Sequence, residues 1–109
     1  MEAGTIVKAA FLQADRQIKF RPAVMIKSVP PFGDFLVCAV STQNHLFVPG
    51  LDIKLEEGSS DFAATRLFQS SIIRSGMLAT LPSNMIQGAI DKISQPLCEQ
   101  LLQQLRSFL

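Results

Sequence analysis

Arg21 is the residue of this chain that is best suited to phosphate chemistry, because it precedes Pro22 at the start of an apolar run. The proline ring fixes its own backbone angle and disfavours helix at the preceding residue, which places Arg21 at the beginning of a strand. A guanidinium group carries a permanent charge and matches a phosphate with two parallel hydrogen bonds. The position therefore suggests phosphate binding or phosphate chemistry, although an arginine before a strand is usually only solvated.

A second apolar run ends in a pair of hydroxyl residues, Ser41 and Thr42, which Gln43 follows. If the two runs pair as neighbouring strands, Arg21 and Ser41 face one pocket. A hydroxyl group can donate a hydrogen bond to a phosphate oxygen. The alternative is that the hydroxyl pair forms only the turn that closes a strand.

Two other residues with reactive side chains, His45 and Cys38, are candidates for chemistry. His45 is the single histidine of the chain and a natural acid–base group, but the sequence shows no second member of a catalytic triad. Cys38 lies inside an apolar run and is interpreted as a core residue, since apolar burial makes a thiol unreactive. The sequence has no cysteine–histidine spacing typical of zinc and no glycine-rich phosphate loop, so we expect neither a metal nor a cofactor.

The composition predicts one ordered domain over residues 1–109, because 48% of the residues are hydrophobic and only 17% are charged. The formal net charge of +1 does not by itself indicate a nucleic-acid-binding protein. However, residues 1–30 hold five basic and two acidic residues, whereas residues 31–60 hold one basic and four acidic residues. A locally basic face is therefore predicted, and the acidic stretch is interpreted as a solvated rim.

The expected location is the cytoplasm. Cys38 and Cys98 lie in apolar settings on different elements and are predicted to be buried free thiols in a reducing compartment. The first residues lack the pattern of a signal peptide, and charges interrupt the apolar runs well short of a membrane span.

The apolar pattern predicts short strands followed by one helix at the end of the chain. The helix is capped by Ser94, carries Pro96 in its first turn and places its leucines on one face. The later strands are also compatible with a helical period, because Phe68, Ile72 and Ile73 fit both patterns. The order of elements predicts a mainly β fold, a small antiparallel barrel packed by the helix. Strands are predicted over residues 5–12, 22–29, 34–40, 51–55, 65–73 and 77–81.

With its elements in this order, the sequence resembles the PemK/MazF family of bacterial toxins. Four places carry the resemblance, and together they span nearly the whole chain. The first three are the opening Gly-Thr-Ile-Val at residues 4–7, the Arg-Pro-Ala-Val at residues 21–24, and the Ser-Thr-Gln at residues 41–43. The fourth comprises residues 69–73, the Ile-Gln-Gly at residues 86–88 and the final helix.

The resemblance implies an SH3-like barrel, usually a homodimer, that cleaves single-stranded RNA without metal and is inhibited by an antitoxin protein. The implied reaction is attack by the ribose 2′-hydroxyl on the adjacent phosphate, which leaves a 2′,3′-cyclic phosphate and a 5′-hydroxyl. The implied catalytic residues are Arg21, which stabilises the phosphorane, and Ser41, which takes the position of the family's threonine. The expected RNA-binding residues are Lys19, Thr42, Gln43 and Arg66, although Arg66 is equally interpreted as a surface arginine.

The sequence also departs from the family pattern in ways that keep other functions open. The connection at residues 13–19 is short and lacks the family's Gly-Ser-Glu-Gln, and Phe68 stands where many members have an aspartate. The alternative is therefore a catalytically inactive SH3-like barrel that binds a protein or peptide. A third interpretation within the toxin fold is interference with DNA gyrase.

Overall fold

A computed structural model describes residues 2–109, with Ile90 described by its backbone alone. The protein consists of six antiparallel strands, a single helical turn and one longer helix at its end. The strands are β1 (Thr5–Leu12), β2 (Ile18–Val29), β3 (Asp34–Ser41), β4 (Ile53–Leu55), β5 (Ser71–Leu81) and β6 (Ile86–Lys92), and the helices are α1 (Ser60–Ala63) and α2 (Gln95–Phe108).

The six strands form one sheet in the order β4-β5-β3-β2-β1-β6. Each neighbouring pair is antiparallel. The strands β1, β2 and β3 follow one another along the chain and pair in that order, as a meander. Within residues 2–109 the edge strands β4 and β6 are not hydrogen-bonded to each other, so the sheet is open. The structure confirms a mainly β antiparallel fold with a C-terminal helix but does not confirm a closed barrel.

The helix α2 covers one face of the sheet, as its sequence pattern predicted. The Ser94 hydroxyl caps it by accepting a hydrogen bond from the Leu97 N–H at 3.3 Å. Leu101 and Leu105 on the same helical face are buried, while Gln100, Gln103 and Arg106 are exposed on the outer side. The core of this face combines residues of five strands with α2 and includes Ile6, Val24, Cys38, Val40, Ile73, Leu97 and Leu101.

A second apolar cluster lies on the face of the sheet that is turned away from α2. It contains Val7, Ala9, Ala23, Met25 and Val37. Because successive side chains of a strand point to opposite faces, β1 and β2 bury one set of residues under the helix and the alternate set in this second cluster. Both strands are therefore fixed from two sides near their centres.

The predicted start of β2 was too late in the chain. The strand begins at Ile18 rather than at residue 22, because Ile18 and Lys19 pair with Leu12 and Phe11 of β1. A tight turn remains between the two strands, in which the Gln13 N–H donates to the Gln17 carbonyl at 2.8 Å. Arg21 consequently lies inside a paired strand and not at its mouth.

The two strands predicted over residues 65–73 and 77–81 are in fact one strand, β5. Its pairing with β3 shifts between Ala39, which faces Arg74, and Cys38, which faces Leu78. The residues between Arg74 and Leu78 form a bulge, which lets the strand continue past Ser75 and Gly76. The predicted break was therefore a local irregularity within a continuous strand.

The strand predicted over residues 65–73 was wrong in its first part, because residues 65–70 do not form a strand. The hydroxyl of the buried Thr65 donates to the Phe62 carbonyl at 2.7 Å and accepts the Leu67 N–H at 3.3 Å. These bonds close a turn after α1, in which Arg66 has a left-handed backbone with φ of 58°. The strand β6 was not predicted, since Gly88, with φ of 45°, interrupts its apolar pattern.

Both cysteines are buried and free, as predicted. Burial raises the pKa of the Cys38 thiol to about 12, with the nearby Asp52 adding to the effect. Burial also raises the pKa of the Cys98 thiol, and the charge of Glu99 contributes in the same direction. Cys38 therefore belongs to the core and is not a nucleophile at neutral pH.

Candidate functional site

The pairing of β2 with β3 brings Arg21 and Ser41 together. The paired part of the two strands ends at Ala23 opposite Ala39, and Arg21 and Ser41 each lie two residues beyond this pair. Because side chains two residues apart on a strand project to the same face, Arg21 and Ser41 lie on the face of the sheet that Ala23 and Ala39 share. The juxtaposition that the two sequence motifs suggested is therefore a consequence of strand register.

An open groove of about 320 Å³ lies over this part of the two strands. Its walls come from the first half of β2 and from the end of β3 with the residues that follow it. Five of the six predicted site residues line it, and Arg66 is not among them. The groove is lined by Lys19, Phe20, Arg21, Pro22, Val40, Ser41, Thr42 and Gln43.

Arg21 is half-buried, and its guanidinium has a neighbour that orients it. Its Nη2 donates a hydrogen bond to Gln13 Oε1 at 3.1 Å, across the β1–β2 pair. Arg21 faces Ala9 of β1, whose small side chain leaves room above the strand. No salt bridge to Arg21 is present in the described residues 2–109, so its charge is available to an anion in the groove.

Ser41 is the last residue of β3 and is only 9% exposed. Its hydroxyl oxygen accepts a hydrogen bond from the Gln43 N–H at 3.0 Å. This bond forms the turn that the sequence offered as the alternative to a functional role. A hydroxyl that accepts with its oxygen still has its own proton to donate. The turn and a contact to phosphate are therefore compatible in the same side chain.

Lys19, Thr42 and Gln43 are exposed along the rim of the groove. Lys19 adds a second positive charge on β2, two residues before Arg21. Thr42 and Gln43 present a hydroxyl and an amide, which can both donate and accept hydrogen bonds. Their expected contacts with RNA stay a prediction, but the structure places all three beside Arg21.

Arg66 lies apart from these residues, in the turn that follows α1. Its Nε approaches Asp91 Oδ2 of β6 to 3.3 Å, and its side chain is 76% exposed. The expectation that it stands on a strand is wrong, because residues 65–70 form a turn. Its interpretation as a surface arginine fits this placement better than a role as a second cation in the groove.

His45 is exposed and lies in a short 3₁₀ turn at Asn44–Leu46. It does not line the groove. No aspartate or glutamate lines the groove either, so the charged groups there are the cations Lys19 and Arg21. The arrangement can hold and stabilise an anion, and it offers no carboxylate or imidazole for proton transfer.

The structure adds two residues that the sequence did not single out. Gln13 was part of a connection without a recognised motif, and its contact with Arg21 depends on the β1–β2 register. Asn44 donates from Nδ2 to the carbonyls of Thr42, at 2.9 Å, and of Ser70, at 3.0 Å. Only the tertiary fold brings residues 42 and 70 close enough for one amide to join them.

The fold and the groove together define a small antiparallel β-sheet protein in which an arginine of β2 and the hydroxyl residue that ends β3 line one groove. The sequence profile of the PemK-like, MazF-like toxins of type II toxin-antitoxin systems matches residues 2–109. The chain therefore belongs to this family, as its four motifs indicated. No curated protein sequence matches the chain. No helix of residues 2–109 is long and apolar enough to span a membrane.

Proposed function

We propose that this toxin-family protein is a metal-independent endoribonuclease that cleaves single-stranded RNA to 2′,3′-cyclic phosphate and 5′-hydroxyl ends. The observation that carries the proposal is that Arg21 and Ser41 line the same open groove. The family match supports the role of a toxin. The chemistry is inferred from the groove and from the resemblance of its motifs.

The reaction needs positive charge where the phosphorane develops. Arg21 meets this need because it is half-buried, permanently charged and held by Gln13. Ser41 would donate a hydrogen bond from its hydroxyl group to a phosphate oxygen, while the bond from the Gln43 N–H keeps the side chain oriented. Lys19, Thr42 and Gln43 would bind the neighbouring nucleotides along the rim.

The groove stabilises charge and supplies no strong side-chain base. A guanidinium rarely gives up its proton, and the groove is lined by no carboxylate or imidazole. We therefore assign to the protein the stabilisation of the transition state and the orientation of the RNA. In this account the proton of the 2′-hydroxyl passes to water as the 2′-oxygen bonds to phosphorus, and the 5′-oxygen takes a proton from water as its bond to phosphorus breaks.

An antitoxin protein and a second copy of the chain are the proposed protein partners. The antitoxin would inhibit the toxin by inserting a flexible segment into the groove that holds RNA. Expression of the protein alone should arrest growth, and coexpression with the product of a small neighbouring gene should relieve the arrest.

The test is incubation of the purified protein with a long single-stranded RNA in EDTA. Wild-type protein should cut at discrete sites, and Arg21→Ala should reduce the rate by about 10²-fold or more, the usual loss for one removed transition-state donor. Arg106→Ala is the matched control, because Arg106 is an exposed arginine on α2 and does not line the groove. Equal cleavage by folded Arg21→Ala protein would remove Arg21 from the mechanism.

The second candidate is a non-catalytic protein of the same fold that binds a protein or peptide. The absence of any carboxylate from the lining of the groove favours it. Under this alternative, RNA stays intact with folded wild-type protein, both in EDTA and with added divalent metal.

A further inference from the structure

Phe68 is a large aromatic side chain that is entirely exposed on the surface. Exposed aromatic side chains are commonly used to contact a partner, because their apolar faces gain from being covered. Phe68 differs in this respect from its neighbour Leu67, which packs against the main core. Leu67 therefore points into the protein, whereas Phe68 points into the solvent.

The backbone on both sides of Phe68 is anchored. On one side, the Leu67 N–H donates to the hydroxyl of Thr65, a residue with no exposed surface. On the other side, the Ser71 hydroxyl donates to the Gln69 carbonyl at 2.9 Å, and Ser71 begins β5. An aromatic side chain on an anchored backbone loses less conformational entropy when a partner covers it.

Asn44 connects the segment that carries Phe68 to the segment that carries Thr42. Its single side-chain amide donates to the Thr42 carbonyl and to the Ser70 carbonyl. Phe68 is thereby held at a fixed position relative to a residue on the rim of the groove.

A hollow of about 310 Å³ with a mostly apolar lining lies between Phe68 and the groove. It shares Pro22, Val40 and Thr42 with the groove, so the two depressions adjoin. Lys8 also lines it and supplies a positive charge. A ligand that spans both depressions can contact Arg21 in the groove and both Lys8 and Phe68 in the hollow.

We propose that Phe68 and this hollow form a stacking subsite for one base of the RNA, next to the phosphate that Arg21 holds. The inference rests on the proposed function and specifies how the substrate is bound. A nucleotide chain is the occupant that fits, because it combines a phosphate for Arg21 and Lys8 with a planar base for Phe68. Proteins that bind single-stranded nucleic acid combine cationic grooves and aromatic platforms in this way.

Binding is tested with Phe68→Trp, which introduces the only indole, since the chain contains no tryptophan and no tyrosine. The probes are 2′-O-methyl octamers of U, of A and of C, which lack the nucleophile and are not cleaved. Stacking of a base should quench the indole fluorescence in a saturable manner. An abasic octamer of the same charge should quench it much less.

Phe32→Trp is the matched control variant. Phe32 is 86% exposed and lies in the turn between β2 and β3, at the opposite end of β3 from Ser41. It should show no saturable quenching. Equal quenching of both variants, or equal quenching of Phe68→Trp by the abasic octamer, would overturn the proposal.

Cleavage provides the second readout. Phe68→Ala should lower kcat/KM by roughly 5- to 150-fold, the range that alanine substitution of a stacking aromatic residue produces. Phe68→Trp should retain activity, because it keeps the aromatic face, and Phe32→Ala should behave as the wild type. Wild-type cleavage kinetics and cutting sites in Phe68→Ala would overturn the proposal.

The two readouts separate failure of this inference from failure of the proposed function. If the wild-type protein cleaves no RNA, the proposed function is wrong, while quenching of Phe68→Trp by the base-containing octamers would still establish the subsite. If RNA is cleaved and the quenching arises only on addition of a coexpressed antitoxin, the hollow is a protein-binding site and the inference is wrong.

Discussion

The side chain of Arg21 is oriented by Gln13, which lies in the turn between β1 and β2. A guanidinium on an unbranched stem has many rotamers, and fixing one of them ahead of RNA binding lowers the cost of forming the transition state. The contact from Arg21 Nη2 to Gln13 Oε1 at 3.1 Å is the hydrogen bond that does this in the structure. Gln13 is therefore a positioning residue, because it acts on the RNA only through Arg21.

We expect Gln13→Ala to lower kcat/KM for RNA cleavage by about 2- to 12-fold, which corresponds to the usual net worth of one hydrogen bond. In protein that already carries Arg21→Ala, the same change should have no further effect, since its partner is gone. The measurement is a double-mutant cycle of cleavage rates.

Gln17→Ala is the control for this cycle. Gln17 lies in the same turn, but its hydrogen bonds to Gln13 and Asp15 are made by its backbone. It should therefore cleave as the wild type does. Additive losses for Gln13→Ala and Arg21→Ala would show that the glutamine acts independently of the arginine.

Sequence reasoning could single out residues whose type itself carries the proposed chemistry. Arg21 and Ser41 were predicted to face one pocket, and the strand register brings them to one groove. Gln13 and Asn44 could not be found in this way, since a neutral amide gains a role only from the atoms that the fold places beside it. Phe68 was noted as a residue that fits both a strand and a helical pattern and as the residue that stands where many family members have an aspartate.

At the scale of elements, Gly4, which directly precedes β1, packs closely against Ile93 and Cys98 near the start of α2. Gly4 has φ of 89° and donates its N–H to the Met25 carbonyl at 2.8 Å. A Cβ atom at this position would lie 3.2 Å from Cys98 Sγ and 3.3 Å from Ile93 Cγ1. Glycine is therefore required both by the backbone conformation and by the close approach of the helix.

We expect Gly4→Ala to lower the free energy of unfolding by about 2–4 kcal/mol, through left-handed strain and overpacking together. The control is Gly58→Ala, because Gly58 has a similar φ of 91° but no atom within 4 Å of an added Cβ. It should lose only about 1–2 kcal/mol, the cost of the backbone conformation alone. If urea unfolding gives the same loss of unfolding free energy for Gly4→Ala and Gly58→Ala, the close packing of Gly4 against Ile93 and Cys98 does not contribute to stability.

How well each strand or helix could be predicted depended on how clear its apolar pattern is in the sequence. The strands β1 and β3 were predicted well because each is a nearly continuous apolar run, and α2 was predicted well because its leucines repeat with the helical period. The two predicted strands around Ser75 and Gly76 proved to be one, because a bulge is invisible to a pattern of period two. Residues 65–70 have strand-like composition, but the hydroxyl of Thr65 bonds locally and forms a turn instead.

At the scale of the whole molecule, the open sheet is buried on both faces around β1, β2 and β3. Closure into a barrel was predicted from the order of the elements and was also implied by the resemblance, but no apolar pattern in the sequence specifies whether the edge strands meet. The basic residues before residue 30 were predicted to form a basic face. In the structure Lys19 and Arg21 line the groove and Lys8 lines the hollow beside Phe68, so part of this positive charge lies on one surface.

The buried thiol of Cys38 makes the stability of the whole molecule depend on pH in the alkaline range. Its pKa is raised from 9.0 to about 12, so the folded protein holds this proton more tightly than the unfolded chain does. The associated stability is complete below pH 9 and is lost as the pH rises towards 12. In this window the free energy of unfolding should fall by up to about 1.4 kcal/mol per pH unit for this thiol.

The measurement is urea unfolding between pH 8 and pH 11 for the wild type and for Cys38→Ala. The variant should be less stable at pH 8 because of the lost packing, but its stability should decline less steeply with pH. Cys98, whose pKa is shifted in the same direction, remains in both proteins and contributes equally. Parallel pH profiles for the two proteins would contradict the assignment of this dependence to Cys38.

The chemical identity of the RNA ends tests the central claim most directly. The account assigns attack to the ribose 2′-hydroxyl, with Arg21 and Ser41 stabilising the phosphate, so wild-type protein in EDTA should leave 2′,3′-cyclic phosphate and 5′-hydroxyl ends. An RNA that carries a single 2′-deoxy sugar at a mapped cutting site should remain intact there. Ends with a 5′-phosphate and a 3′-hydroxyl, or intact RNA from folded wild-type protein, would contradict the account.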